Sequence, residues 1–153
     1  MLTLGHLASD FVLPSTGDKE FSLIANVGKN LVIYFYPKDD TPGCTTEGQD
    51  FREHWQAFTE KNCVIVGISR DSIRSHENFK EKMQFPFELL SDGDEKVCKL
   101  FDVIKMKNMY GKQVLGIERS TFVIDAQGIL RKEWRGVKVP GHVQEVLNFV
   151  ITL

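Results

Sequence analysis

The sequence has little cysteine, and none of it is paired. Cys44, Cys63 and Cys98 are an odd number at wide spacing, with no Cys-x-x-Cys. This excludes a zinc knuckle and a dithiol redox motif. In a reducing compartment each cysteine is then either a small buried hydrophobe or a working thiol. Charge of one sign is lacking too. A formal net charge of -2 gives no electrostatic reason for a nucleic-acid or anionic-membrane partner. No apolar run approaches the roughly 20 residues of a bilayer span. The opening Met1-Leu2-Thr3-Leu4-Gly5-His6 lacks the basic and apolar regions of a signal peptide, so the expected localisation is cytoplasmic. His6, His54, His76 and His142 are scattered without metal-ligand spacing.

What is present is an ordinary globular composition over 153 residues, enough for one domain, 1–153, with a sizeable core. Apolar β-branched runs alternate with amphipathic ones. Asn30-Leu31-Val32-Ile33-Tyr34-Phe35-Tyr36 is too apolar for a half-exposed strand and is expected at the centre of a sheet, as is Cys63-Val64-Ile65-Val66-Gly67-Ile68-Ser69. Between them the spacing predicts a helix over 42–59, with Phe51, Trp55 and Phe58 on its core face. A second helix, capped by Asp71 or Ser72, carries Ile73, His76, Phe79 and Met83 on one side. A short strand at 87–90 and a short helix at 95–101 follow. The segment 105–116, polar and with two glycines, is expected to be a surface loop. A hairpin turns at Asp125-Ala126-Gln127-Gly128, and a last helix carries Val143, Val146, Leu147 and Val150. With a small hairpin near the front, the order implies an α/β fold: a central mixed sheet with helices on both faces.

The most informative stretch is Tyr36-Pro37-Lys38-Asp39-Asp40-Thr41-Pro42-Gly43-Cys44-Thr45-Thr46-Glu47. It places one cysteine at the start of a helix, straight after a buried strand. Thr41 is the expected N-cap, its hydroxyl accepting from a free backbone N–H. Pro42 suits the first helical position. Cys44 follows in the first turn, where free N–H groups and the helix dipole favour a thiolate. Gly43 leaves space beside the sulfur for a small substrate.

Pro37-x-x-x-Thr41-x-x-Cys44 at a strand-to-helix junction resembles the active-site signature of the peroxiredoxins. Gly67-Ile68-Ser69-Arg70-Asp71 is similar to a strand end of that family, and Gly116-Ile117-Glu118-Arg119-Ser120-Thr121-Phe122 to its arginine-bearing segment. The context Tyr34-Phe35-Tyr36-Pro37-Lys38-Asp39-Asp40-Thr41-Pro42-Gly43-Cys44-Thr45 resembles the bacterioferritin-comigratory-protein, or peroxiredoxin Q, subfamily. The resemblance covers nearly the whole chain. It implies a thioredoxin-like fold with an added N-terminal hairpin and cofactor-free reduction of hydrogen peroxide and organic hydroperoxides. Cys44 would be the peroxidatic nucleophile, with Pro37, Thr41 and Arg119 completing its pocket. A monomer is the oligomeric state that the subfamily implies.

In that reading the Cys44 thiolate attacks one peroxide oxygen and the other leaves as water or alcohol. Thr41 Oγ and the N–H groups of Gly43 and Cys44 would orient the oxygens. Arg119 would favour the thiolate and bind peroxide, and Pro37 would limit water access. The product is a Cys44 sulfenic acid. Resolving cysteines of the subfamily stand at two positions that are Gln49 and Lys80 here. Their absence implies a one-cysteine cycle completed by an external thiol: thioredoxin, glutaredoxin or a low-molecular-weight thiol. Cys98, and after it Cys63, is the alternative resolver; otherwise both are buried hydrophobes.

Two other classes compete. A disulfide reductase needs the second thiol of a Cys-x-x-Cys. A non-catalytic binding protein on the same fold finds no dedicated surface in the charge or hydrophobic pattern. Asp39 and Asp40 are expected as solvated loop charges, Tyr34, Phe35 and Tyr36 as core, and His54 as an exposed or satisfied helix residue.

Overall fold

The computed structural model describes residues 2–153. The chain runs β1 (Val12–Ser15), β2 (Lys19–Ser22), β3 (Asn30–Phe35), α1 (Pro42–Glu60), β4 (Cys63–Ser69), α2 (Ile73–Met83) and β5 (Glu88–Ser91). It continues with α3 (Lys96–Leu100), β6 (Ile104–Met109), β7 (Lys112–Ile117), β8 (Ser120–Ile124), β9 (Leu130–Arg135) and α4 (His142–Val150). Seven strands form one mixed sheet in the order β2-β1-β5-β4-β3-β8-β9. β3, β4 and β5 are parallel, as βαβ crossovers require, while β8 and β9 add an antiparallel edge.

β3 is buried on both faces because its alternating residues serve two cores. Leu31, Ile33 and Phe35 join Phe101 and Phe122 on one side. Val32, Tyr34 and Tyr36 join Phe51, Phe58 and Phe79 on the other. α1, α2 and α4 cover the second side, while α3 packs on the first with Phe11, Leu23, Val103 and Ile117. Tyr34 stacks on Phe51 with ring centroids 4.6 Å apart, which locks α1 over the centre of the sheet. Gly48 permits the close approach of α1 to the segment before β5. A Cβ there would lie 2.3 Å from Phe85 Cζ.

Three expectations need correction. The segment 105–116 is an antiparallel hairpin, β6–β7, outside the main sheet. Its turn is Tyr110-Gly111, both at positive φ, as two-residue hairpins prefer. Its exposed residues mix apolar Met106, Met109, Val114 and Leu115 with polar Asn108, Lys112 and Gln113, so its pattern points to no buried face: Met106 and Leu115 face each other across the ladder and both are exposed. Trp55 is 37% exposed, unlike the fully buried Phe51 and Phe58 of the same helix. Asp39 is buried, not solvated; its carboxylate is surrounded by donors, whereas Asp40 is exposed and pairs with Lys82.

Candidate active site

The site forms where β3 ends and α1 begins. Tyr36 N–H donates to the Ile68 carbonyl at 3.1 Å, extending the β3–β4 pairing by one residue. Pro37, half-buried, then turns the chain out of the sheet. Asp40 takes a left-handed φ of 58°, a conformation Asp tolerates. Thr41 is extended at the N-cap and Pro42 starts the helix, as expected. The Thr41 hydroxyl does not cap the helix, however. It donates to the Lys38 carbonyl at 2.8 Å, closing the loop on itself. Thr45 N–H makes the first helical bond, to the Thr41 carbonyl at 2.8 Å. The N–H groups of Gly43 and Cys44 are therefore left as donors at the helix start, with no side chain capping them among the described residues.

Cys44 is 2% exposed. Its Sγ accepts from Arg119 Nη2 at 3.5 Å. The sheet register explains why Arg119 arrives there. β8 lies antiparallel to β3 with Ser120 opposite Phe35, so the residue before Ser120 falls beside the end of β3. Gly43 has a tighter role than the expected space for substrate. A Cβ there would sit 3.1 Å from Arg119 Nη2, so glycine lets the guanidinium lie against the turn.

Sequence reasoning missed Glu47. It lies one turn after Cys44 on the buried face of α1 and is fully enclosed. Arg119 Nη1 donates to its Oε1 at 2.7 Å, so Arg119 is not the surface partner of its neighbour Glu118. Glu47 Oε2 has no hydrogen-bond partner among the described residues. Burial pushes the Glu47 carboxyl up to about 7, against the pull of the guanidinium. Burial works to lower the Arg119 pKa, but Glu47 and the Cys44 sulfur outweigh it, and the pKa rises. The i, i+3 spacing from Cys44, on the face that carries Phe51, was the available signal. On β6, Lys107 has its pKa lowered by burial and then by Arg119, so a further cation borders the site.

The other two cysteines stand apart. Cys98 lies in the core on the opposite side of the sheet from Cys44. Burial and then Asp92 raise its pKa. Cys63 shares the Cys44 side but opens β4, whose far end neighbours the site. The strand's length separates the two by about 20 Å at 3.3 Å per residue. Burial pushes the Cys63 thiol up to about 12. Asp39, Asp71 and His76 are the one group of potential metal-ligating side chains among the described residues, with ligand atoms within 4.8 Å. Hydrogen bonds already engage all three, so the group is a polar network.

Residues 4–133 match the AhpC/TSA family. The chain belongs to that family. It is a peroxiredoxin, and hence a thiol peroxidase with a thioredoxin-like fold. The peroxiredoxin Bcp of Xanthomonas campestris pv. campestris is 54% identical over 147 residues, 96% of this chain and 92% of the relative. The peroxiredoxin Bcp of Bacillus subtilis is 49% identical over 147 residues, 96% of this chain and 94% of the relative. A structure of the X. campestris bacterioferritin comigratory protein, studied for its alkyl peroxide reduction, superimposes with a TM-score of 0.89 at 53% identity, covering 93% of this chain and 90% of that one. The Cys→Ser variant of the Xylella fastidiosa peroxiredoxin Q gives 0.94 at 43% identity, over 99% and 97% of the two chains. Single Cys→Ser variants of the X. campestris enzyme have been solved at two positions, with the separation of Cys44 and Lys80 here.

Proposed function

We propose that this peroxiredoxin reduces hydrogen peroxide and organic hydroperoxides through Cys44, in a one-cysteine cycle completed by an external thiol. The observation that carries the reading is the Arg119 guanidinium on the Cys44 sulfur, beside the free Gly43 and Cys44 N–H groups. Together they surround one small volume with donors. The thiolate attacks the nearer oxygen of R–O–O–H, the O–O bond breaks, and the RO⁻ that leaves takes a proton to become alcohol or water. Charge develops on that leaving oxygen, where pre-placed donors lower the barrier most. Arg119 keeps its proton and acts as a fixed donor. Thr41, held by the Lys38 carbonyl, still offers its oxygen lone pairs to a peroxide proton. Pro37 shapes the loop and shields the sulfur.

The Cys44 sulfenic acid then needs a thiol. Two arguments favour an external one. Gln49 and Lys80 stand where a resolving cysteine is expected. Cys98 and Cys63 are free and buried, one across the sheet and the other a strand's length away. A disulfide needs Cα atoms within about 7 Å, so either would require a large rearrangement. Thioredoxin, glutaredoxin or a small thiol would attack the sulfenic acid, release water and leave a mixed disulfide that a second thiol reduces. The two-cysteine cycle through Cys98 is the second reading, and a non-catalytic role the third. Peroxide consumption by the wild type and by Cys44→Ser tests the assignment: turnover and sulfenic-acid trapping should vanish together in the variant. A Cys44→Ser protein that still turns over rapidly overturns it. In the cell we expect a cytoplasmic monomer, to be tested by fractionation and light scattering.

A further inference from the structure

His76 is fully buried on α2, and both of its ring nitrogens face acceptors. Nδ1 lies 2.7 Å from Asp39 Oδ2, and Nε2 lies 2.9 Å from the Leu90 carbonyl oxygen. A neutral imidazole has one N–H and can serve only one of them. The Asp39 end of the contact is an acceptor without ambiguity. The Tyr36 hydroxyl donates to Oδ1 at 2.6 Å and the Ser75 hydroxyl to Oδ2 at 2.7 Å. Both Asp39 oxygens thus already accept from a hydroxyl, and Oδ2 faces Nδ1 as an acceptor. Asp71 lies alongside and accepts from the Asp39 N–H at 2.9 Å and the Ser69 hydroxyl at 2.6 Å.

The titratable groups facing the ring are therefore Asp39 from the loop, Tyr36 from the end of β3 and Asp71 from the loop before α2. All are acids. Among the described residues no Lys or Arg nitrogen lies within 4.0 Å of the Asp39 or Asp71 carboxylate. Only the imidazole can supply positive charge to this buried cluster, and a buried carboxylate without a cation is costly.

The location gives the cluster a function. Asp39 sits in the loop that joins β3 to α1, between Pro37 and Thr41. His76 ties that loop to Leu90 on β5, and Asp71 holds its backbone.

We propose that His76, as an imidazolium, is a positioning residue for the peroxide-reacting turn: it clamps Asp39 to β5 and so seats Thr41 and the Gly43 and Cys44 N–H groups. Its functional readout rests on the peroxidase reading of Cys44; its chemistry does not. A neutral ring would turn a lone pair toward either Asp39 or the Leu90 carbonyl, and that repulsion would free the loop. Replacing the ring should therefore slow the reaction of Cys44 with peroxide.

Nitrogen-15 spectra of the wild-type protein at neutral pH test the charge state directly, with His76→Gln as the assignment control. Both ring nitrogens of His76 should carry protons; a neutral tautomer overturns the proposal. Stopped-flow oxidation of Cys44 by hydrogen peroxide at neutral pH, well below the melting temperature, tests the role. His76→Gln should react about tenfold more slowly. A variant that only melts earlier, with the wild-type rate constant, shows a packing role and overturns positioning. If wild-type Cys44 reacts with peroxide at no pH, the peroxidase reading fails, and the ring spectrum still decides whether His76 is an imidazolium.

Discussion

Arg119 Nη1 lies 2.7 Å from Glu47 Oε1, and that carboxylate is wholly out of water. One guanidinium thus has two partners, since its Nη2 faces the Cys44 sulfur at 3.5 Å. Glu47 fixes the fork of Arg119 and so fixes which nitrogen the sulfur meets. Arg119→Ala removes the donor and leaves Glu47 buried and unpaired. Second-order oxidation of Cys44 should slow by about 10²–10³-fold. Stopped-flow kinetics with hydrogen peroxide measure this; a change below about threefold would remove Arg119 from the chemistry.

Glu47 also predicts a pH dependence of stability. Its folded pKa of about 7 lies above its ordinary value, so between the two the folded state holds the proton more tightly than the unfolded state. Stability therefore falls as pH rises through that window, and the cost is complete above about 7. Glu47→Gln has no such proton. On going from pH 5 to pH 8 its stability relative to wild type should improve by on the order of 2 kcal/mol. Urea denaturation at the two pH values measures the difference. A pH-independent difference would show that Glu47 titrates normally in the folded protein.

Gly43 and Gly48 separate chemistry from packing within one helix. A methyl on Gly43 meets the Arg119 guanidinium at 3.1 Å, the mobile end of a side chain. Gly43→Ala should slow peroxide reduction several-fold with a near-normal melting temperature. A methyl on Gly48 meets the Phe85 ring at 2.3 Å. Gly48→Ala should cost about 1–3 kcal/mol from overpacking, read as a lower melting temperature. The reverse pattern would mean that the two glycines have been assigned the wrong roles.

Intact mass after one equivalent of peroxide tests the cycle. Cys44 should gain one oxygen, and with an added small thiol it should carry that thiol as an adduct. Cys63→Ser and Cys98→Ser should behave as wild type. The loss of two hydrogens without added thiol, abolished in Cys98→Ser, would establish the internal disulfide instead.

The sequence by itself determined the thiol's place. A buried strand, then Thr41 at the N-cap position, Pro42 at the first helical position and Cys44, specifies a strand-to-helix turn from local sequence, although the Thr41 hydroxyl closes the loop and does not cap the helix, and the element order required parallel central strands. The β6–β7 hairpin escaped because its lysines and exposed methionines carry no alternation toward a core. Tertiary structure decided what surrounds the sulfur. Arg119 reaches Cys44, 75 positions away in the chain, through the β3–β8 register that only the closed sheet brings about. Glu47 and Asp39 look like ordinary solvated acids in the sequence. Burial and partners supplied by Arg119 and His76 set them apart, because the energy of a charge depends on what lies within a few ångströms of it.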